Sequence, residues 1–167
     1  TLTVDKLNAV VTNFGAIAKT FGNAPFGLTA PSSTSTAIFS YTSSDPTVAT
    51  ISGSIATIVG AGTATITATQ GDNTNYIGGT IETSLTVGVA TPTISGFFAI
   101  TKAVNNPAFT LTPPASTSNG SFSYVSSDPS VVTINGSTVT IVGVGTATIT
   151  ATQAATNNFI SGTRITT

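Results

Sequence analysis

The sequence predicts an all-β chain of two tandem β-sandwiches, each of about seven strands. Three observations predict it. Ser43-Ser44-Asp45-Pro46 recurs as Ser126-Ser127-Asp128-Pro129, and Thr57-Ile58-Val59-Gly60 as Thr140-Ile141-Val142-Gly143, an offset of 126 − 43 = 83 residues. The match runs without gaps from Leu2/Leu85 to Thr83/Thr166, with about half of the paired positions identical, which marks an array of like units. Gly62–Thr69 alternates strictly, placing Ala64, Ile66 and Ala68 on one face and Thr63, Thr65, Thr67 and Thr69 on the other. Ala147, Ile149 and Ala151 against Thr146, Thr148, Thr150 and Thr152 repeat that division, and nowhere does helical spacing compete with it.

Turn residues divide the first repeat into strands near Val11–Ile17, Phe26–Ala30, Ala37–Thr42, Val48–Ser52, Ser54–Val59, Thr63–Gln70 and Ile81–Val87. Period two puts Phe39 with Tyr41 and Ala49 with Ile51, so the expected core combines Phe39, Tyr41, Ile51 and Ile66. Phe122, Tyr124, Ile134 and Ile149 are its counterparts in the second repeat. Between strands, Pro46 and Pro129 suit the second position of a type I turn, and Asp45 and Asp128 before them cap it by accepting backbone N–H groups. Gly53-Ser54 and Asn135-Gly136 mark hairpins, while Gly60 and Gly62, with Gly143 and Gly145, are expected to supply turns of unusual dihedral angle.

The repeat sets the domain plan. Residues 1–8 read as the final strand of a preceding repeat or a linker, 9–87 as the first repeat, 88–92 as a linker, and 93–167 as a second repeat with an incomplete final strand. The sequence thus starts and stops at one phase of the repeat. An excerpt from a longer array explains this and is the favoured reading; a subunit whose spare Thr1–Val4 completes the last domain of another copy is the alternative.

Composition removes several classes of function. Charged residues are 5% of the chain, four basic against five acidic, too few to neutralise the phosphates that nucleic-acid affinity requires. The mean hydropathy is +0.38, yet Thr, Ser or Gly interrupts the apolar residues every few positions, so membrane insertion is not expected. No Cys or His is present, which excludes nucleophilic triads and leaves each unit to be held by packing alone.

The run Phe-Ser-Tyr-Thr-Ser-Ser-Asp-Pro-Thr-Val-Ala-Thr-Ile from Phe39, followed by Ile-Val-Gly-Ala-Gly-Thr-Ala-Thr-Ile-Thr-Ala-Thr from Ile58, resembles the bacterial immunoglobulin-like domain of group 2 found in intimin and invasin-type adhesins. The resemblance covers most of both repeats, with Tyr41 and Tyr124 standing where that family often has Trp. It implies an immunoglobulin-like β-sandwich used as a spacer or adhesive module on a bacterial, phage or viral surface. It brings no catalytic residues.

The remaining candidates have plain explanations beside the functional ones. Asp45 and Asp128 recur in the same turn of separate domains, which suits caps and not a carboxylate pair. Asp72-Asn73-Thr74-Asn75 offers oxygens to Ca²⁺, but the second repeat has Ala155-Thr156-Asn157-Asn158 there, so Asp72 is a lone candidate ligand and a simple loop is expected. The Thr rows could match an ice lattice or carry O-linked sugars, but ice needs a flat platform where sandwich sheets twist, and Thr is also a good strand former that keeps a sheet face wet. Asn119-Gly120-Ser121 and Asn135-Gly136-Ser137 fit the N-glycosylation pattern, yet Asn-Gly is also turn chemistry, and a turn is the favoured reading. The expectation is therefore a non-enzymatic, cofactor-free spacer in an extracellular stalk, fibre or virion appendage, with neighbouring repeats or like subunits as partners. Recognition of a glycan or host receptor through Ser32–Ala37 and Asp72–Gly79 is the rival reading.

Overall fold

The computed structural model describes every residue from Thr1 to Thr167, and its regular elements are all strands. The chain divides into two compact units, Thr1–Val89 and Ala90–Thr167. Unit 1 contains β1 (Leu7–Asn8), β2 (Val11–Thr12), β3 (Ile17–Thr20), β4 (Phe26–Gly27), β5 (Ser32–Ser33), β6 (Phe39–Ser43), β7 (Ala49–Ser52), β8 (Ile55–Ile58), β9 (Gly62–Gln70), β10 (Tyr76–Ile77) and β11 (Thr80–Gly88). One sheet has the order β3-β11-β9-β6 and the other β4-β8-β7. Only β3 runs parallel to its neighbour in these two sheets.

The core lies between these sheets, so unit 1 is an immunoglobulin-like β-sandwich. Leu28, Val48, Ala49 and Ala56 on one side meet Ala64, Ile66, Leu85 and Val87 on the other. The strict alternation of β9 and β11 creates this layer, because every second side chain of each strand points into it. Three of the eight residues are Ala, so the large side chains Ile66 and Leu85, both fully buried, supply much of the apolar area.

Unit 2 repeats the plan with β12 (Ile94–Ser95), β13 (Phe109–Thr110), β14 (Ala115–Ser116), β15 (Phe122–Ser126), β16 (Val132–Asn135), β17 (Thr138–Ile141), β18 (Ile149–Gln153) and β19 (Gly162–Thr166). Its sheets are β15-β18-β19 and β13-β17-β16, closed over Phe97, Leu111, Val139, Ile149 and Ala151.

Several expectations need correction. The strand expected over Val11–Ile17 is two strands, because Asn13 takes a left-handed φ of 62° and turns the chain between β2 and β3. The strand expected over Phe26–Ala30 stops at Gly27. Residues 1–8 are not wholly outside the first repeat: Leu7–Asn8 pairs in parallel with Tyr76–Ile77 of unit 1. The linker expected over 88–92 is paired at two positions, since Gly88 ends β11 and Ala90 bridges Phe159, its N–H reaching the Asn158 carbonyl at 2.8 Å.

Turn assignments shift as well. The second hairpin turn is Gly136-Ser137, because Asn135 pairs with Thr138 as the last residue of β16. Gly136 and its counterpart Gly53 sit at φ of 59° and 60°, the first position of a type II′ turn. Of the four glycines expected to be unusual, Gly62 and Gly145 are, at φ of 151° and 158°, and each packs against Val48 or Val131 where a Cβ would collide. Gly60 and Gly143 keep negative φ; their N–H groups donate to the carbonyls of Val48 and Val131.

Ile66 and Ile149 are buried, and Tyr41, Ile51, Phe122, Tyr124 and Ile134 lie half-buried against the two core clusters. Phe39 is half-buried but stands outside the central cluster, where it faces Gln70 at the end of the sheet and touches Tyr41, 6.4 Å between ring centres.

One sequence folds in two ways. Gly-Thr-Ala-Thr-Ile-Thr-Ala-Thr-Gln occurs at Gly62–Gln70 and, unchanged, at Gly145–Gln153. In unit 1 all nine residues are strand; in unit 2 only the last five are. In unit 1, Gly62–Ala64 has a single strand neighbour, the Leu85–Val87 part of β11. In unit 2 the ladder between β18 and β19 runs from Gln153 to Ile149, where Thr166 lies opposite, and Gly145–Ala147 is not paired with any strand. Strand conformation depends on a hydrogen-bonding neighbour, so the unpaired half relaxes.

Candidate functional site

The most structured polar cluster lies where β9 ends. The inward alternation Ala64, Ile66, Ala68 continues to Gln70, which carries a primary amide into a 3% exposed position. A buried amide needs partners for its carbonyl and both N–H groups. Ser33 donates its hydroxyl to Gln70 Oε1 at 2.6 Å, and Gln70 Nε2 donates to the carbonyls of Ser35 at 3.2 Å and Ala37 at 2.5 Å. The amide thereby pins the Ser32–Ala37 loop from beneath.

Unit 2 builds the same clamp. Gln153, 1% exposed, accepts from Ser116 at 2.6 Å and donates to the carbonyls of Ser118 and Gly120, both at 2.9 Å. These two glutamines are functional residues of the scaffold that the sequence reading passed over. Their signal was present: each occupies the next inward position after an apolar face of small residues.

The second proposed recognition loop, Asp72–Gly79, is tied in the same way. Asn73 Oδ1 accepts the N–H groups of Asn75 at 3.0 Å and Tyr76 at 2.9 Å, and Nδ2 donates to Ser35 Oγ at 2.9 Å. Asp72 Oδ1 accepts the Gly78 N–H at 2.8 Å while Oδ2 pairs with Lys6 Nζ at 3.5 Å. The Gly78 hydrogen bond first, and the Lys6 charge to a lesser degree, hold the Asp72 carboxyl below the usual carboxylate range. One oxygen of this candidate calcium ligand is thus engaged by the loop backbone and the other by Lys6 of the segment before β1. Tyr76, the aromatic of that loop, is half-buried.

Asp45 and Asp128 stand in matching turns. Asp45 Oδ1 accepts the Thr47 N–H at 2.8 Å and the Thr47 hydroxyl at 2.7 Å; Asp128 Oδ1 accepts the same pair from Ser130 at 2.9 and 2.6 Å. The Asp45 carbonyl in turn accepts from Val48 and Ala49, and that of Asp128 from Val131 and Val132. Hydrogen bonds from Thr47 and Ser130 favour the ionised form and lower both carboxyl pKa values. Pro46 and Pro129 follow directly and pre-set the turn.

The Thr row of unit 1 does form a hydroxyl face. Thr65, Thr67 and Thr69 lie beside Ser84, Glu82 and Thr80 on β11, and Thr67 and Thr69 lie beside Thr42 and Ser40 on β6. In unit 2 the corresponding Thr150 lies between Ile165 and Val125, 59% and 65% exposed. The hydroxyl array therefore runs unbroken only in unit 1; in unit 2 it is interrupted at Thr150, while Thr152 keeps hydroxyl neighbours in Ser123 and Thr163.

No family model matches the chain, and no curated protein matches its sequence. Among solved structures, a fragment of mouse protocadherin-24 aligns over 95% of this chain and 69% of its own length, at 15% identity and a TM-score of 0.33. A four-domain extracellular fragment of protocadherin gamma B7 aligns over 95% of this chain and 48% of its own, at 12% identity and a TM-score of 0.38. A SusE-like surface located polysaccharide binding protein from the heparin utilisation locus of Bacteroides thetaiotaomicron aligns over 95% and 33%, at 16% identity and a TM-score of 0.34. The chain thus spans about half or less of two of these three structures.

Two outcomes follow from this geometry. Gln153→Leu leaves the Ser118 and Gly120 carbonyls without their buried donor; urea unfolding should show unit 2 weakened by about 1–3 kcal/mol, with faster amide exchange across Ser116–Gly120. Because Asp45, Asp72 and Asp128 have lowered pKa values in the fold, their contribution is complete above the unfolded-state value of about 3.9 and is lost as pH falls through the folded values. Thermal midpoints should drop on acidification below about pH 4, and the drop should be shallower in an Asp45→Ala/Asp128→Ala variant.

Proposed function

We propose that this chain is a pair of spacer repeats from an extracellular stalk, fibre or adhesin on a bacterial, phage or viral surface, with no reaction of its own. Its partners on this reading are neighbouring repeats or like subunits, and its likeness to group 2 bacterial immunoglobulin-like domains is that of one repeat in such an array.

The observation that carries the reading is the clamp built twice. A recognition loop has to present convergent polar groups or aromatic anchors to a ligand. In Ser32–Ala37 and Asp72–Gly79 the polar side chains of Ser33, Ser35, Asp72 and Asn73 bond instead to Gln70, to each other or to loop backbone. Such loops keep their shape and leave little to offer a sugar. The same design with Gln153 favours a selected scaffold property over a site peculiar to one domain. Carboxylates placed to cap turns support the absence of catalysis, since Asp45 and Asp128 spend their hydrogen bonds on their own backbone.

A glycan array probed with the two-unit chain checks this reading. No saturable binding is expected; saturable binding abolished by substitutions at Ser32, Thr34 or Asn75 would establish the recognition reading instead.

A further inference from the structure

β3 and β4 are edge strands of the two main sheets of unit 1, β3 at one end of the order β3-β11-β9-β6 and β4 at one end of β4-β8-β7. Between them lies an open cleft of about 360 Å³ whose lining includes Phe14, Ile17, Phe26 and Leu28. The opposite flank is bridged by the Ser44–Val48 turn, which carries β6 directly into β7. An edge strand offers main-chain groups to a neighbour, and an apolar cleft beside it offers a seat for the inward side chains of an added strand. The β3–β4 flank is therefore where a second copy would join edge to edge.

Three residues close that flank. Lys19 takes an inward position of β3, two residues after Ile17, and its Nζ lies 4.5 Å from the centre of the Phe26 ring on β4. Its stem covers the apolar cleft and its ammonium has no carboxylate partner. At the end of β3 the Thr20 N–H donates to Asn23 Oδ1 at 2.9 Å, and the Thr20 carbonyl accepts the Asn23 N–H at 3.0 Å. Alternate residues of a parallel strand bond its partner; Phe21 bonds Gly88 of β11, so Thr20 and Ala18 face the open side. The Asn23 turn thus takes up main-chain groups that an added strand would use.

Unit 2 keeps these three residues and nothing else of the segment. Ala18–Phe26 and Thr101–Phe109 are identical only at Lys19/Lys102, Asn23/Asn106 and Phe26/Phe109. Lys102 Nζ lies 5.2 Å from the centre of the Phe109 ring, and Asn106 makes the same two bonds to Ala103, at 2.8 and 2.9 Å. Two of the four basic residues in the chain are thus spent on this one position.

We propose that Lys19, Asn23 and Phe26, with Lys102, Asn106 and Phe109, form an edge lock that bars a second copy of this chain from adding a strand to this flank of either unit. A strand added beside β3 would bury the Lys19 ammonium unpaired, which costs several-fold more than a main-chain hydrogen bond at so short an edge returns. With a net charge of −1, general repulsion between copies is weak, so a placed cation has to supply the barrier. The lock holds whether the units act as spacers or as binding modules.

Sedimentation velocity of the 167-residue chain over a range of concentrations tests it. Lys19→Val, which leaves unit 2 unchanged, should associate at about 10-fold or more lower concentration than the wild type, with amide exchange at Ala18 slowing as concentration rises. Lys19→Arg keeps a cation over Phe26 and should behave as the wild type. So should Thr69→Val, which adds the same apolar side chain at an exposed position of the sheet face. Lys19→Gln keeps a long side chain without its charge and should shift association in the same direction as Lys19→Val, so it decides the matter if the Val variant does not fold. The proposal is overturned if the uncharged variants associate no more readily than the wild type. It is overturned too if Lys19→Arg or Thr69→Val associates as readily as Lys19→Val, or if the added association leaves exchange at Ala18 unchanged, which assigns it to another surface.

Discussion

The ladder that β11 offers to β3 on one side and to β9 on the other is the constraint on which the sandwich depends. Hydrogen-bonding groups of an extended segment have to be met by a neighbouring strand or by water. Where Leu85–Val87 provides that neighbour, Gly62–Ala64 is strand and Ala64 is buried at 2% exposure. Where no strand lies alongside, the identical residues Gly145–Ala147 are outside the sheet and Ala147 is half-buried. Propensity is the same in both copies, so pairing decides the outcome.

A second constraint acts at the other end of the same strand. Gln70 and Gln153 close the sandwich by hydrogen bonding where a hydrophobic side chain would leave loop carbonyls unpaired. The core between is thin and rich in Ala, which makes the few large residues and these amides carry much of the definition of the fold. The clamps also hold the loops above them, since the polar groups of Ser33, Ser35, Ser116 and Ser118 are bonded to the two amides.

Much of this was legible in the sequence. Period two in Gly62–Thr69 places the inward face correctly at Ala64, Ile66 and Ala68, and the Asp-Pro pairs mark turns whose carboxylates accept the expected backbone N–H. Other features were not legible because they arise from tertiary pairing. The break at Asn13 rests on one left-handed residue inside an apolar run, and the short strands β1, β5 and β10 exist only through partners distant in sequence. Gly60 and Gly62, like Gly143 and Gly145, looked alike as turn glycines, yet only the second of each pair has positive φ, set by packing on Val48 or Val131. The role of Gln70 was hidden for a different reason: alternation identifies an inward position but not the carbonyls it will meet.

Amide hydrogen exchange in dilute solution compares the two identical nonapeptides within one molecule and tests the dependence on pairing most directly. If the neighbouring strand governs, the slowest amide of Gly62–Ala64 exchanges near the global unfolding rate of unit 1, while all amides of Gly145–Ala147 exchange through low-cost local opening. Equal protection of the two segments in the monomeric chain would contradict the account.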